Sequence, residues 1–358
     1  MNPERMGFDP EKEFINPWDL ENKPNAEQGA ERKGSVETSH RNMETMIGEL
    51  AAMSRFEKVK NEVGEEVLKS RESGEEFSTK RLTSGSDPLA RDVWNMMRDE
   101  FKDEADTLSW VRESIRQKLN NYDVVIAPDG QLASFSNTRY LELDKGEPKQ
   151  AGKDTESILF VSYILTADNA RGKGLATELY KDFYKDTLEK AKESGHAIKA
   201  IFGESVESVE PFLNKMGRKR LYFEDAEGNV REVPYKAPPC DYDDDTGEPL
   251  VDGAKEHIMI RLIDNAQEMD SGELMRMVKA LYYQEYTASP EDYNNKNAWQ
   301  RSKEVIDGYL AELESALFQA KDGRVFLMSA TERKQKVKEL NKEGKEIYEI
   351  EKTEEDKE

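Results

Sequence analysis

From Ser157 to Thr166 the chain reads SILFVSYILT, ten residues without a charge and apolar at both odd and even positions. Successive side chains of a strand point to opposite faces, so a segment of this kind needs cover on both sides and belongs at the centre of a sheet. A loop rich in glycine and cations follows, ADNARGKG. Then Leu175, Ala176, Leu179, Tyr180, Phe183, Tyr184 and Leu188 recur at helical spacing. Buried strand, glycine loop and amphipathic helix form the first unit of a sheet with helices on both faces.

The flanking segments extend this pattern. Asp87 caps and Pro88 opens one helix, and Thr107 caps a second. Tyr122–Leu143 reads as a hairpin turning at Pro128-Asp129-Gly130. After the central helix come a strand (AIKAIFGES), a short helix (VEPFLNKMG) ending on Gly217, a hairpin (KRLYFED to VREVPYK) and a last strand (EHIMIRLI). The fold class expected is α/β (α+β), a mixed central sheet flanked by helices on both faces, spanning 80–264. Residues 1–40 lack periodicity and are expected to be disordered. Residues 41–79 are expected to be an N-terminal amphipathic helix, on the spacing of Met46, Ile47, Leu50, Met53, Phe56, Val59, Val63 and Val67. Residues 265–330 are expected to be a C-terminal helical extension. It carries the stripe Val305, Ile306, Tyr309, Leu310, Leu313, Ala316 and Leu317, a helix start at Ser289-Pro290 with Asp292 behind it, and a short strand at RVFLMSA. Residues 331–358 form a Lys/Glu tail.

Charge narrows the function classes. The 358 residues include 75 Asp and Glu against 53 Lys and Arg, a net charge of −22. Such a chain repels nucleic acid and anionic membrane, so neither is an expected partner. The single cysteine, Cys240, forms no intrachain disulfide, and His40, His196 and His257 lie far apart in sequence, so no metal site is expected. The N-terminus lacks the apolar core of a secretory signal and no run approaches a membrane span. A cytoplasmic location is the expectation.

Against this acidic background RGKGLA stands out. Glycines let a ligand approach the backbone, and the start of a helix offers free N–H groups and a positive dipole end, which suits phosphate. A dinucleotide fingerprint lacks its third glycine here, and the P-loop pattern is absent. Arg171-Gly172-Lys173-Gly174-Leu175-Ala176 resembles the pyrophosphate loop [RQ]-x-x-G-x-[GA] of the GNAT superfamily of acyl-CoA N-acyltransferases. PFLNKMG (Pro211–Gly217) resembles that family's late helix end, and the order of elements from Lys80 to Ile263 is the family's. The resemblance covers about half the chain.

The resemblance implies acetyl-CoA, or another short acyl-CoA, as co-substrate and a primary amine as acceptor. It implies that main-chain groups of Ile164, Leu165 and Thr166 meet the pantetheine and that the amides of Arg171, Gly172, Lys173, Gly174, Leu175 and Ala176 hold the pyrophosphate. Glu156 and Glu204, placed near strand ends, are the candidate bases. Leu213 stands where the family usually has a tyrosine acid, which leaves open a non-catalytic CoA-binding module acting as sensor or scaffold. Two further features are weighed. DYDDDTGEPLVD resembles a calcium loop but lacks its glycine and final glutamate, and reads as an acidic surface loop. In the family the loop between the last two strands borders the acceptor, so Asp241, Asp243, Asp244 and Asp245 imply a cationic acceptor. Tyr282, Tyr283 and Tyr286 form an aromatic cluster that either lines a pocket or packs a helix down.

Overall fold

The computed structural model describes residues 28–102, 107–143, 155–205, 209–239, 242–243, 245–250, 256–286 and 296–349, with side chains from Val36 onward. Its centre is one mixed sheet. The strands are β1 (Phe56–Lys60), β2 (Glu66–Ser70), β3 (Glu76–Arg81), β4 (Asn121–Ile126), β5 (Leu132–Glu142), β6 (Glu156–Thr166), β7 (Ala197–Ser205), β8 (Lys219–Glu224), β9 (Val230–Glu232), β10 (His257–Leu262), β11 (Glu268–Asp270), β12 (Arg324–Met328) and β13 (Ile347–Tyr348). They lie in the order β1-β2-β3-β4-β5-β6-β7-β10-β8-β12-β11, with β9 on β8 and β13 on β9. The fully apolar segment is β6, at the middle of that order, as its two-faced burial requires. Its pairing with β5 is antiparallel and with β7 parallel.

Helices cover both faces. One face carries α1 (Gln28–Met53), α4 (Leu175–Ser194) and α5 (Glu210–Lys215), with Met43, Met46, Leu50, Tyr180, Phe183 and Tyr184 packed on Leu159, Val161, Ile198 and Ile201. The other carries α2 (Pro88–Phe101) and α3 (Leu108–Gln117), packed on Tyr122, Val124 and Phe135. It also carries α6 (Ser271–Leu281) and α7 (Lys296–Leu317), packed on Phe160, Phe202, Leu221 and Ile260. Local signals read from sequence act as expected. The Asp87 side chain accepts from Leu89 N–H at the start of α2, and the Thr107 side chain from Trp110 N–H at the start of α3.

The N-terminal region differs from the expectation. The helix already runs at Gln28, inside the segment read as disordered, and Ser39 is tied to β7, donating to Ile198 O at 2.7 Å and accepting from Ile198 N–H at 2.8 Å. It ends at Met53 instead of continuing past Val67. From there β1, β2 and β3 form a meander that enlarges the sheet. The cause is local. Asn61 Oδ1 accepts from Val63 and Glu65 N–H, and Gly64 takes φ +85°, so the chain reverses and Val59 meets Val67 across the hairpin. Valines spaced by four satisfy a two-residue period as well as a helical one, and their β-branching favours the strand.

The C-terminal extension also joins the sheet. RVFLMSA forms β12, inserted against β8, so the sheet does not stop at residue 264. Ile306, Leu310, Leu313 and Leu317 of α7 are buried, while Val305 is half-buried. The Lys/Glu tail begins as α8 (Ala330–Glu343), started by a capping box between Ser329 and Glu332. Arg333 docks it by donating to Glu210 and to the Tyr222 hydroxyl. Ser289, Pro290 and Asp292, with Cys240, Asp241, Asp244 and Asp252, lie outside the described residues. No described helix is long and apolar enough to cross a membrane.

Candidate active site

The central pair of strands parts company half-way along. β6 and β7 pair from Glu156 opposite Ala197 to Phe160 opposite Phe202, with the register stepping past Lys199 after Ser157. Beyond that point β6 stays with β5 as far as Thr166 opposite Ser134, and β7 stays with β10 as far as Ser205 opposite His257. Ser162 marks the cause. On β5, Asn137 and Thr138 are adjacent, but their partners on β6 are Tyr163 and Val161, so Ser162 is an extra residue in the strand. A bulge of this kind bends its strand and strengthens the twist. It also turns two consecutive side chains to one face. Ser162 reaches Glu285 and Tyr163 packs on the α2/α3 cluster, whereas Ile164 returns to the α4 face. From Val161 onward the β7 side of β6 therefore borders a fork.

The glycine loop closes the open end of that fork. A short turn (Asp168–Ala170) leads to Gly172 at φ +77° and Gly174 at φ +95°, the residue that caps α4 without a side chain. Both values fall in the left-handed region that glycine alone enters freely. The first amides of α4, on Leu175 and Ala176, have no acceptor within the helix. Leu175 itself is buried with Leu179 against Phe56, Leu68 and Phe77, which fixes the helix start. Lys173 Nζ contacts Glu75 at 3.0 Å and lies over the Phe77 ring, and Arg171 reaches Glu100 at 3.4 Å and Asp168 at 3.2 Å. A third cation joins them. Arg55 Nη1 donates to Gly172 O at 3.0 Å, and its Cδ lies 3.4 Å from where a Cβ on Gly174 would stand. The six loop residues thus sit at the same end of the sheet as Ile164, Leu165 and Thr166.

The two glutamates sit at opposite ends of the central strand pair. Glu204 lies two residues beyond the last β6–β7 pair, half-buried at the open end. Tyr235 donates to its Oε1, and Tyr286 to its Oε2 at 2.5 Å. Burial pushes its carboxyl up to about 7; the two phenol hydrogen bonds oppose that shift, and the nearby Glu285 carboxylate adds to it. Glu156 lies at the closed end, ten residues before Thr166, where the strands are paired. Lys199 Nζ is 3.5 Å and Arg276 Nη1 3.1 Å from its oxygens. The structure therefore brings Glu204, and not Glu156, to the fork.

A short π-helix, Tyr282–Tyr286, follows α6 and lays Glu285 and Tyr286 on this site. Glu285 accepts from Arg139 at 2.7 Å and from Asn120 at 3.0 Å. Tyr282 donates to Lys236 O, and Tyr283 to Asp307, so the three tyrosines divide between packing and site. One helical turn widened to a π turn shifts the residues after it, a device often found at functional sites. Leu213 is buried in the α4-face cluster with Tyr180 and Met216. In the acidic loop, Asp243 accepts from the amides of Asp245 and Thr246 and so closes its own turn.

No protein-family profile matches the chain, and no curated protein does. Solved structures do resemble part of it. NAA60 of Arabidopsis thaliana in complex with a bisubstrate analogue aligns over 53% of this chain and 100% of its own at 10% identity, with a TM-score of 0.36. Tetrahymena GCN5 aligns over 52% and 96% at 14% identity, with a TM-score of 0.32. An aminoglycoside acetyltransferase from an uncultured soil metagenomic sample, in complex with sisomicin, aligns over 39% and 84% at 12% identity, with a TM-score of 0.30. About half of the chain therefore has no counterpart in these neighbours.

Sequence reasoning did not find Arg55, Arg139, Tyr235 or Glu285. Arg55 follows directly on the end of α1, and the helical reading of 41–79 hid it. Tyr235 and Tyr286 lie 31 and 82 residues from Glu204, and no spacing rule links them. The YYQEY run on an amphipathic helix was the one available signal for the latter.

Proposed function

We propose that this chain is an acyl-CoA-dependent N-acetyltransferase that moves an acetyl or short acyl group to a primary amine by direct attack in a ternary complex. The single observation that carries the reading is the fork itself. A helix N-terminus with three cations stands at its open end, and a half-buried carboxyl near neutrality stands on the opposite face of β7. The pyrophosphate would lie on the amides of 171–176, and the pantetheine along the β7-facing edge of Ile164–Thr166.

The chemistry follows from that placement. The acceptor arrives as an ammonium and must lose a proton before it attacks. Glu204, at about 7, is a base matched to neutral pH. The amine nitrogen forms a bond to the thioester carbonyl, and the oxyanion that develops is held by strand N–H groups at the fork. The C–S bond then breaks, and the products are the amide and CoA. Tyr235 and Tyr286 fix the carboxylate and leave one side of it toward the fork. A cationic acceptor remains our reading of the acidic loop and of the overall charge of −22. The second reading, a CoA-binding module without turnover, is favoured by Leu213 alone, since leucine donates no proton.

A thiol-release assay with acetyl-CoA across a panel of amines tests the proposal. Release dependent on the amine, lost in Glu204→Gln while acetyl-CoA still binds, supports it. Acetyl-CoA binding without release with any amine favours the module, and absence of binding overturns both.

A further inference from the structure

Gly203 and Glu204 are neighbours on β7 and face opposite sides of the sheet. Glu204 faces the tyrosines and Glu285. Gly203 faces a buried arginine. A Cβ on Gly203 would stand 2.4 Å from Arg218 Nη1 and 3.0 Å from Val161 O, so the guanidinium lies on Gly203, one residue beyond the last β6–β7 pair. Arg218 is 1% exposed. Its Nε and Nη2 have no hydrogen-bond partner, and among the described residues no carboxylate lies within ion-pair distance of it. The Tyr180 ring lies against it, 5.3 Å from Cζ to centroid, and the buried Tyr184 phenol interacts with it as well.

A buried unpaired guanidinium is costly to keep. Replacing such a charge by an apolar side chain is often neutral or stabilising. The Tyr180 ring and the Tyr184 phenol offset part of that cost, but no carboxylate among the described residues neutralises the charge. What it faces is the gap between β6 and β7, on the α4 side, opposite the carboxyl that takes the amine proton.

From this juxtaposition we infer that Arg218 is a catalytic residue that holds the leaving thiolate of CoA in the fork, the work Leu213 cannot do. The inference rests on the acetyltransferase reading. The balance of the step is simple. Glu204 takes the first proton of the ammonium and passes it to solvent, and as the C–N bond forms it takes the second. As the C–S bond breaks, the electron pair goes to sulfur, and the thiolate accepts an N–H bond from Nη1 of Arg218, the guanidinium nitrogen that lies against Gly203. The thiolate is later protonated by solvent on release, and Glu204 returns its proton to solvent.

The test compares full-length wild type with Arg218→Met and Arg218→Lys, using CoA and desulfo-CoA as probes. Calorimetric binding of CoA to wild type comes first, and its absence overturns the acetyltransferase reading and this inference together. With binding present, the thiol of bound CoA, followed by thiolate absorbance, should titrate at least about one unit below free thiol in wild type. It should return to the free value or above in Arg218→Met and lie between in Arg218→Lys. Above neutral pH, wild type should prefer CoA to desulfo-CoA by about tenfold, and Arg218→Met should show no preference. Arg218→Met should lower kcat by roughly 10²–10³-fold, as loss of an oxyanion donor does, with an unchanged or higher melting temperature. An equal thiol titration in wild type and Arg218→Met overturns the assignment while leaving acetyl transfer intact. So does failure of both variants to fold, which would make Arg218 structural.

Discussion

Glu156 and Glu204 are both acids near the ends of central strands, and the sequence offers no ground to separate them. The structure gives them opposite surroundings. At the closed end, Glu156 meets two cations, Lys199 and Arg276, and its charge is neutralised. At the open end, Glu204 meets two phenols and another carboxylate, and burial raises it to about 7. The carboxylate of Glu156 is already engaged in two ion pairs. A carboxyl among phenols can gain and lose a proton near neutrality without disturbing any salt bridge. The two ends also differ in pairing: β6 is paired with β7 at the Glu156 end, and beyond Phe160, just before the Ser162 bulge, it is not.

The largest effect should come from exchanging the carboxyl at the open end. Glu204→Gln should lower kcat/KM for the amine by roughly 10²–10⁴-fold, with acetyl-CoA affinity within twofold, about the scatter of an exposed-site change. Steady-state thiol release and calorimetry check this. An equal loss in Glu156→Gln would erase the contrast between the two ends.

Next in size is the loop that borders the open end. Gly174 holds φ +95° at the start of α4. Gly174→Asp adds strain and a negative charge where the pyrophosphate would lie, and should cost at least about 2 kcal/mol of acetyl-CoA binding. Equal affinities by calorimetry would detach the loop from the cofactor.

A smaller effect should appear in pH dependence. On the proposed reading only deprotonated Glu204 accepts the amine proton, so kcat/KM should climb with pH and level off near 7. Tyr286→Phe removes a hydrogen bond that favours the carboxylate, so the limb should move to higher pH. A limb that stays in place would show that another group carries the proton. The same shift has a stability consequence. The folded pKa lies above the ordinary value of 4.5, so the contribution of Glu204 is fully present below that value and is lost as pH rises through about 7. Melting temperatures between pH 5 and 8 should fall less steeply in Glu204→Gln than in wild type.

The smallest effect belongs to the closed end. Glu156→Gln should leave turnover within about twofold and lower stability by roughly 1 kcal/mol or less, because its ion pairs are partly solvated. A loss of several kcal/mol by denaturant titration would mean that the Lys199–Glu156–Arg276 cluster holds the sheet together.

Much of this was legible before folding. An uncharged ten-residue segment can only be a central strand, Asp87-Pro88 and Thr107 start helices by satisfying local amides, and Gly172 and Gly174 mark a loop that needs left-handed backbone. These signals act over a few residues, so sequence determines them. The region after Met53 was not legible, because valines four apart fit two periods. There the Asn61 turn and the apolar shelter of Phe56, Leu68 and Phe77 under α4 decided for strands. The site was legible only in part. Sequence supplied the loop and two candidate bases, Glu156 and Glu204, without separating them. Tertiary structure alone brought Tyr235, Tyr286, Glu285 and Arg139 to one face of the fork and Arg218 to the other. A proton-transfer site depends on which charges lie within a few ångströms, and that distance is set by strand register and by one extra residue in β6, neither of which any local pattern encodes.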